Sequence, residues 1–355
     1  MIKVNELGKA IIPKHGLLSD AIKALTESAL RIVLIVDSDM KLLGTVTDGD
    51  IRRGLLRGLN LTSSISEIIN PKPIIVPISF TRDRVLQIML QSKVYQIPVV
   101  DDESVLVGLH LRDEERAIES RSNLMVIMAG GRGTRLLPRT ETIPKPMLTV
   151  AGKPILEHII ERAKAEGILH FILSVHYLAE VIQNYFGDGK AFGVNISYII
   201  EKTPLGTAGA LGLIDPEPLE PIVVTNGDVL TDIKYGELID FHTENAAEAT
   251  MAVHVYQSSI PYGVVRTKDL EITGYTEKPV AQFLINAGVY VLSPQALKLI
   301  DKFTATDMPN LFSSIQKCEK KVIAYPVHEK WIDIGTKESF NEALYSFKET
   351  SEESN

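Results

Sequence analysis

Four cations crowd one short segment of the chain. Arg132, Arg135, Arg139 and Lys145 fall within fourteen residues, directly behind the glycines Gly130, Gly131 and Gly133, although the 355-residue chain has a formal charge of −8. Arginine grips phosphate oxygens through parallel N–H donors, and lysine adds a movable point charge. Glycines ahead of them let backbone N–H groups approach an oxyanion closely. Pro138, Pro144 and Pro146 keep the segment extended and stiff. A polyphosphate fits this set better than an ordinary solvated basic loop does. Two familiar phosphate loops are excluded by spacing. A dinucleotide fingerprint needs glycine where Leu136 stands, and a Walker loop needs it at Arg135 or Leu136. Two carboxylates extend the set. Asp228, in Asn226-Gly227-Asp228, closes an apolar run and so falls at the carboxyl end of a strand, where open α/β sheets bind ligands. Asp333, in Trp331-Ile332-Asp333-Ile334, is a charge among apolar neighbours, costly to bury unless paired. Singly, Asp228 also fits a turn, and Asp333 a cap for a helix starting near Thr336. Together with phosphate and water they suit Mg²⁺.

Positioning these residues requires strands that end where the loops begin. Leu124 to Ala129 is an apolar run feeding the glycine loop, and Pro154 to about Glu166 carries Ile155, Leu156, Ile159, Ile160 and Ala163 on one helical face. Further strands are predicted at His170–Val175, Val194–Ile200, Pro221–Asn226 and Ala249–Val255, with helical stretches between them. Such alternation predicts an α/β domain with a Rossmann-like, mostly parallel sheet over residues 121–350, and a polar tail at 351–355. The first 120 residues differ. Ile32 to Gly44 and Gln96 to Gly108 repeat one hairpin pattern at an offset of 64 residues, each with an apolar-periodic helix ahead (Leu18–Ala29, Arg84–Leu90) and a charged helix start behind (Asp48–Leu56, Arg112–Ser120). A small α/β unit is thus present twice, in copies of about 1–62 and 63–120. The polar stretch Glu114–Asn123 reads as the linker.

Gly130-Gly131-x-Gly133-Thr134-Arg135-Leu136-x-Pro138, followed by Pro144-Lys145-Pro146-Met147-Leu148, resembles the signature of the sugar-1-phosphate nucleotidyltransferases, and the resemblance runs from about Leu124 to Phe347. It implies transfer of a nucleotidyl group from an NTP to a sugar 1-phosphate with release of pyrophosphate. Arg135 and Lys145 would serve the reacting phosphates, Asp228 and Asp333 the Mg²⁺, and Ala129, Gly130, Gly131, Gly133 and Thr134 the nucleotide. Gly263, Glu277, Lys278, Asn286 and Gly288 match the family's sugar-binding half. The segment Glu201-Lys202-Thr203-Pro204-Leu205-Gly206-Thr207 resembles its base-reading stretch, with a helix opening at Thr207. There Glu201, Pro204, Gly206 and Thr207 would contact the nucleotide. An acceptor-only carboxylate at Glu201 matches the two adjacent donors of guanine. A solvated strand-end charge is the other reading of Glu201. The segment looks most like that of GDP-sugar-forming members such as mannose- and heptose-1-phosphate guanylyltransferases. The duplicated unit resembles a CBS-domain pair, which implies a possible adenosine nucleotide effector, with Thr47 placed for phosphate and Asp50 for ribose, and a tendency to form homo-oligomers. Its second copy has Leu111 and Glu114 at the corresponding positions.

Other chemistries find little purchase. The single cysteine, Cys318, makes no disulfide within the chain, and no His/Cys set has zinc-ligand spacing. No G-x-S-x-G is present, and the eight histidines show no ligand pairing. The acidic balance excludes nucleic acid and anionic lipid as general partners. No apolar stretch reads as a signal peptide or a membrane span, so a cytoplasmic setting is expected. Two rivals stay open: uridylyl, cytidylyl or adenylyl transfer to another phosphorylated acceptor, and a nucleotide-sensing regulator without turnover.

Overall fold

The computed structural model describes residues 1–112 and 120–352. The chain divides into two compact units, Met1–Ala117 and Ile118–Asn355.

In the first unit the repeat is explicit in the strand register. Ile32–Val36 pairs antiparallel with Leu42–Thr47, Ile32 opposite Thr47, and Gln96–Val100 pairs with Leu106–Leu111, Gln96 opposite Leu111. Both hairpins carry a register irregularity at the same place, Ile35/Val36 and Val99/Val100. The helices ahead of them, Leu18–Ser28 and Arg82–Ser92, keep the 64-residue offset at both ends. Short parallel strands, Ile11–Pro13 and Val76–Pro77, flank the hairpins. The copies exchange segments: Ile2–Lys3 pairs with Gly108 and Leu109, while Ser64 bridges to Leu17 and Asn70 to Thr45. Asp48–Leu56 is helical as expected. Its counterpart after Arg112, including Glu114, lies outside the described residues, as does most of the expected linker.

The second unit is built on one seven-stranded sheet: β1 (Arg121–Met128), β2 (Ile168–Val175), β3 (Asn195–Ile200), β4 (Ile222–Asn226), β5 (Ala249–Ser259), β6 (Val280–Leu292) and β7 (Val322–Val327), in the spatial order 3-2-1-4-6-5-7. β6 runs antiparallel to its neighbours β4 and β5, and the remaining pairs are parallel. β1 begins three residues before the expected strand, so Arg121 to Asn123, read from sequence as linker, belong to the sheet. Their polarity has specific partners. Arg121 makes a two-pronged ion pair with Asp240, at 2.9 Å for both contacts, and Asn123 Nδ2 donates to the Pro221 carbonyl at 2.8 Å.

Period-two alternation along β1 sorts its side chains onto two faces. Met125 and Ile127 join a core shared with helix Ile155–Ala165, whose Ile155, Leu156, Ile159, Ile160 and Ala163 are all buried. Val126 enters the opposite core with Met308, Leu311, Phe312 and Ile315, spaced i, i+3, i+4, i+7 on helix Met308–Lys317. At about 1.5–3 kcal/mol for each fully buried large aliphatic side chain, these two layers hold the sheet rigid between them. From β1 the chain proceeds outward to β2 and β3, then returns to β4 on the other side of β1. The carboxyl ends of β1 and β4 are thus the topological switch point of the sheet, where open α/β folds bind ligands.

Candidate active site

Both chemistry-bearing loops leave from that switch point. Thr225 and Asn226 of β4 lie beside Ile127 and Met128 of β1, and the next residues on each side are the Gly227-Asp228 turn and the glycine loop. Gly227 permits their contact. A Cβ there would stand 2.9 Å from the Met128 carbonyl oxygen and 3.2 Å from Pro146. Gly133 has φ +62°, and a Cβ on it would meet Lys145 Cβ at 3.0 Å, so glycine is required for both conformation and space. Its carbonyl accepts from Thr140 Oγ1 at 2.9 Å and from Leu136 N–H at 2.9 Å, which fixes the 3₁₀ turn carrying Arg135. Among the described residues, the N–H groups of Gly131, Arg132 and Gly133 donate to no backbone carbonyl. They remain available to an oxyanion.

Lys145 is 7% exposed, and its ammonium donates to Asp228 Oδ2 in a short ion pair. The other oxygen, Oδ1, is buried and accepts from no protein donor. Asp333 comes to the same place by strand pairing. Val229–Thr231 runs antiparallel to Trp331–Asp333 with Val229 opposite Asp333, and Ile334 N–H donates to the Asp228 carbonyl at 3.0 Å. Asp333 keeps accessible surface, yet its carboxyl is pushed above the ordinary range, chiefly by the protein packed around it and next by the Asp228 carboxylate, with Lys145 and Arg135 pulling the other way. Arg135 sits against Gly335. A Cβ on that glycine would lie 3.4 Å from Arg135 Nη2 and 3.5 Å from Asp333 Oδ1. Capping of helix Lys337–Glu352 falls to Thr336, whose hydroxyl accepts from Ser339 N–H at 3.2 Å, so Asp333 is not occupied as a cap.

Arg135, Lys145, Asp228 and Asp333 are thus brought together, and two repelling carboxylates with one unpartnered buried oxygen form a donor set that fits a divalent cation. The other two cations face elsewhere. Arg139 lies over the Phe340 ring at 4.9 Å and Arg132 over Tyr177 at 5.9 Å.

The segment after β3 is held in place by hydrogen bonds of its own side chains. Glu201 is 7% exposed, not a solvated strand end: Oε1 accepts from Ser174 Oγ at 2.7 Å and Oε2 from Leu205 N–H at 2.8 Å. It lies beside Gly130, whose Cβ would be 3.1 Å from Oε1. The carboxylate therefore braces the loop against the glycine strand-end. Gly206, at φ +76°, is exposed, and a Cβ on it would stand 2.7 Å from Asp307 Oδ1. Thr207 N–H donates to Asp307 Oδ1 at 3.1 Å and its hydroxyl accepts from Met308 N–H at 2.8 Å, which locks the loop to the start of helix Met308–Lys317. The helix expected at Thr207 is a short 3₁₀ segment, Gly209–Leu213. Pro204 is exposed, as is Thr134, while Ala129 is buried.

In the sugar half, a Cβ on Gly263 would stand 2.9 Å from Glu277 Oε2, and Lys278 turns the chain with φ +42°. Asn286 donates from Nδ2 to Tyr290 Oη at 2.7 Å and accepts at Oδ1 from Gly288 N–H at 2.9 Å. Gly288, at φ +72°, lies against Asn226, whose Nδ2 would be 2.8 Å from a Cβ there. Tyr290 is 2% exposed. Burial and the nearby Asp228 charge push its hydroxyl up to about 12, against the opposing hydrogen bond from Asn286. Tyr290 and Asn226 are absent from the sequence reading of the site. The four-residue spacing of Asn286 and Tyr290 on one strand, which places both on one face, was the available signal.

In the first unit, Thr47 and Asp50 hydrogen-bond to each other. Thr47 N–H and Oγ1 donate to Asp50 Oδ2 at 2.9 and 2.6 Å, and Asp50 Oδ1 accepts from Arg53 at 2.5 Å, which caps helix Asp48–Leu56. Among the described residues, no helix is long and apolar enough to cross a membrane.

Residues 124–350 match the family described as nucleotidyl transferase, and residues 10–57 and 65–109 each match the CBS domain. The chain is 35% identical over 224 residues to the mannose-1-phosphate guanyltransferase of Yarrowia lipolytica, covering 61% of each protein. It is also 35% identical over 223 residues to the mannose-1-phosphate guanylyltransferase of Mycobacterium tuberculosis, covering 61% of this chain and 62% of that one. Among solved structures, HddC from Yersinia pseudotuberculosis complexed with GMP-PN aligns with a TM-score of 0.50 and 26% identity, over 63% of this chain and 99% of HddC. The chain thus spans 61% and 62% of the length of these two curated relatives.

Proposed function

The chain belongs to the nucleotidyl transferase family, and from that premise we propose that it is a sugar-1-phosphate guanylyltransferase, converting GTP and a sugar 1-phosphate into a GDP-sugar and pyrophosphate. The observation that carries the reading is the convergence of Lys145, Asp228, Asp333 and Arg135 at the switch point. An oxygen of the sugar 1-phosphate attacks the α-phosphorus in line. The new P–O bond forms as the bond to the β-phosphate breaks, and pyrophosphate leaves with the electron pair. Positioning and charge neutralisation suffice for this step, and no covalent nucleophile is needed. Lys145, fixed by Asp228, neutralises the reacting phosphates, and Arg135 stabilises the departing pyrophosphate. Asp228 Oδ1 and Asp333 would hold Mg²⁺, which when bound supplies further neutralisation of phosphate charge. The open N–H groups of Gly131 to Gly133 bind the triphosphate. Glu201 is a positioning residue that holds the loop after β3 beside Gly130. Lys278 holds the sugar phosphate, Glu277 and Asn286 hydrogen-bond the sugar hydroxyls, and Gly263 and Gly288 leave room for the ring.

Guanine as the base rests on the two guanylyltransferase relatives and on the GMP-PN bound to HddC. In the same reading, residues 1–120 form the CBS pair and 121–350 the transferase domain. A cytoplasmic setting follows from the reactants. An adenosine nucleotide effector at the CBS pair, contacted by Thr47 and Asp50, belongs to the same reading, although the two side chains here hydrogen-bond to each other. Pyrophosphate release, followed with each of GTP, UTP, CTP and ATP against several sugar 1-phosphates, tests the proposal. Turnover confined to GTP supports it. Turnover with another nucleotide alone removes the guanine assignment, and none with any pair removes the activity.

A further inference from the structure

The geometry points to His176 as a specificity-determining residue, its Nε2 accepting a hydrogen bond from the exocyclic amine of guanine. The inference rests on the guanylyltransferase reading above and names how that site selects its nucleotide. β2 ends at Val175, and the next two residues pack around the start of the glycine loop. A Cβ on Gly130 would stand 3.2 Å from His176 Cβ and 3.1 Å from Glu201 Oε1, so these two residues flank the space that the missing side chain leaves. Glycine at such a point lets a flat ligand lie close against the backbone. Tyr177 ties this turn to the cation segment: the Arg132 guanidinium lies 5.9 Å from its ring centre, and its hydroxyl donates to the Glu141 carbonyl at 2.9 Å.

Hydrogen bonding fixes the tautomer of this histidine. Nδ1 lies 2.9 Å from the Glu201 carbonyl oxygen. A carbonyl only accepts, so Nδ1 carries the proton, and in the neutral ring Nε2 is left as an acceptor. Among the described residues no protein group bonds to Nε2, and His176 is only half-buried, so that lone pair is open to a ligand. The neighbouring Glu201 carboxylate is acceptor-only as well, with Ser174 Oγ on Oε1 and Leu205 N–H on Oε2. A base laid over Gly130 therefore meets acceptors and no donor from this pair. Guanine alone offers N1–H and an amine side by side. Adenine and cytosine set a bare ring nitrogen beside their amine, and uracil flanks its single N–H with carbonyls, so each would turn a lone pair towards another. Glu201 is committed twice to its own loop, whereas Nε2 is committed to nothing, which makes it the acceptor that a guanine amine can claim in full.

The test follows pyrophosphate release by the full chain with GTP and with inosine triphosphate, which lacks the exocyclic amine, in wild type, His176→Asn and His176→Gln. Asparagine keeps an N–H donor for the Glu201 carbonyl and places nothing at the Nε2 position, which the longer glutamine reaches with an acceptor oxygen. The wild type is expected to prefer GTP over inosine triphosphate by about ten-fold in kcat/KM, the scale of one hydrogen bond whose loss leaves a partner unsatisfied. In His176→Asn the preference disappears through KM for GTP, with KM for the sugar 1-phosphate unmoved, and in His176→Gln it is kept. Wild type labelled with ¹⁵N-histidine gives a second reading: the His176 Nε2 resonance, assigned by its loss in His176→Gln, shifts with GTP and stays in place with inosine triphosphate. A wild-type preference in His176→Asn, its loss in both variants alike, or equal shifts with the two nucleotides overturns the inference and leaves guanylyl transfer standing. Turnover with UTP, CTP or ATP in place of GTP is a different failure, which removes the guanylyltransferase reading and this assignment with it.

Discussion

The two oxygens of the Asp228 carboxylate have different roles: Oδ2 takes the Lys145 ammonium, and Oδ1 is buried without a donor. The residue types at this centre were legible, since clustered cations and strand-end aspartates announce phosphate chemistry. Their division of labour was not, because it depends on which side chains pack against which. Arg132 and Arg139 read like Arg135 but stack on Tyr177 and Phe340. Glu201 reads as a base contact, and its bracing of Ser174 and the Leu205 N–H from a buried position is visible only in the fold. Tyr290 shows how to test such an indirect role. Tyr290→Phe keeps the ring, packed near Phe312 at 5.8 Å, but removes the acceptor of Asn286 Nδ2. Steady-state kinetics should show KM for the sugar 1-phosphate rising about five-fold, the equivalent of roughly 1 kcal/mol for one hydrogen bond, with KM for GTP and the melting temperature unchanged. An equal rise in both KM values would make Tyr290 a purely structural residue. Gly133→Ala should act more harshly. A side chain in the left-handed region costs about 1–2 kcal/mol, and its Cβ would displace Lys145, so kcat should fall well beyond what the small loss of thermal stability explains. Unchanged kcat would show that the loop does not position Lys145.

Strands and helices carried the clearest sequence signal. The 64-residue repeat anticipated two hairpins whose registers coincide, and the helix at Ile155–Ala165 followed from its apolar face. Polar strand starts were the weak point. Arg121 to Asn123 looked like linker because their partners, Asp240 and the Pro221 carbonyl, lie roughly a hundred residues away. Helix Tyr235–Glu244 offers a test at this scale. Its His242 is 1% exposed, with Nδ1 2.8 Å from Thr250 Oγ1 and Nε2 3.1 Å from Ser293 Oγ. Ser293 already donates to the Ala247 carbonyl, so it accepts from Nε2–H and the neutral ring is fully satisfied. Burial pushes its pKa down to about 4 from the ordinary 6.5. The unfolded chain therefore binds the proton first: this contribution to stability is complete above about pH 6.5 and is lost as pH falls towards 4, with a limiting slope of about 1.4 kcal/mol per pH unit. Urea unfolding at several pH values should show that slope in the wild type and a shallower one in His242→Gln. Identical slopes would remove His242 as its source.

At the scale of the whole molecule, one transferase domain and one duplicated CBS module share a chain of formal charge −8, and the cations of the glycine loop stand against that acidic balance. The catalytic account stands on the meeting of that loop with Asp228 and Asp333. Its most direct measurement is ³¹P NMR of the full chain with GTP, mannose 1-phosphate and Mg²⁺, run beside Asp228→Asn and beside wild type treated with EDTA. The account predicts that GDP-sugar and pyrophosphate signals grow together in the wild type, fall by about 10²–10³-fold in Asp228→Asn, and vanish with the chelator, while circular dichroism shows the variant folded. Undiminished product formation by folded Asp228→Asn would contradict it.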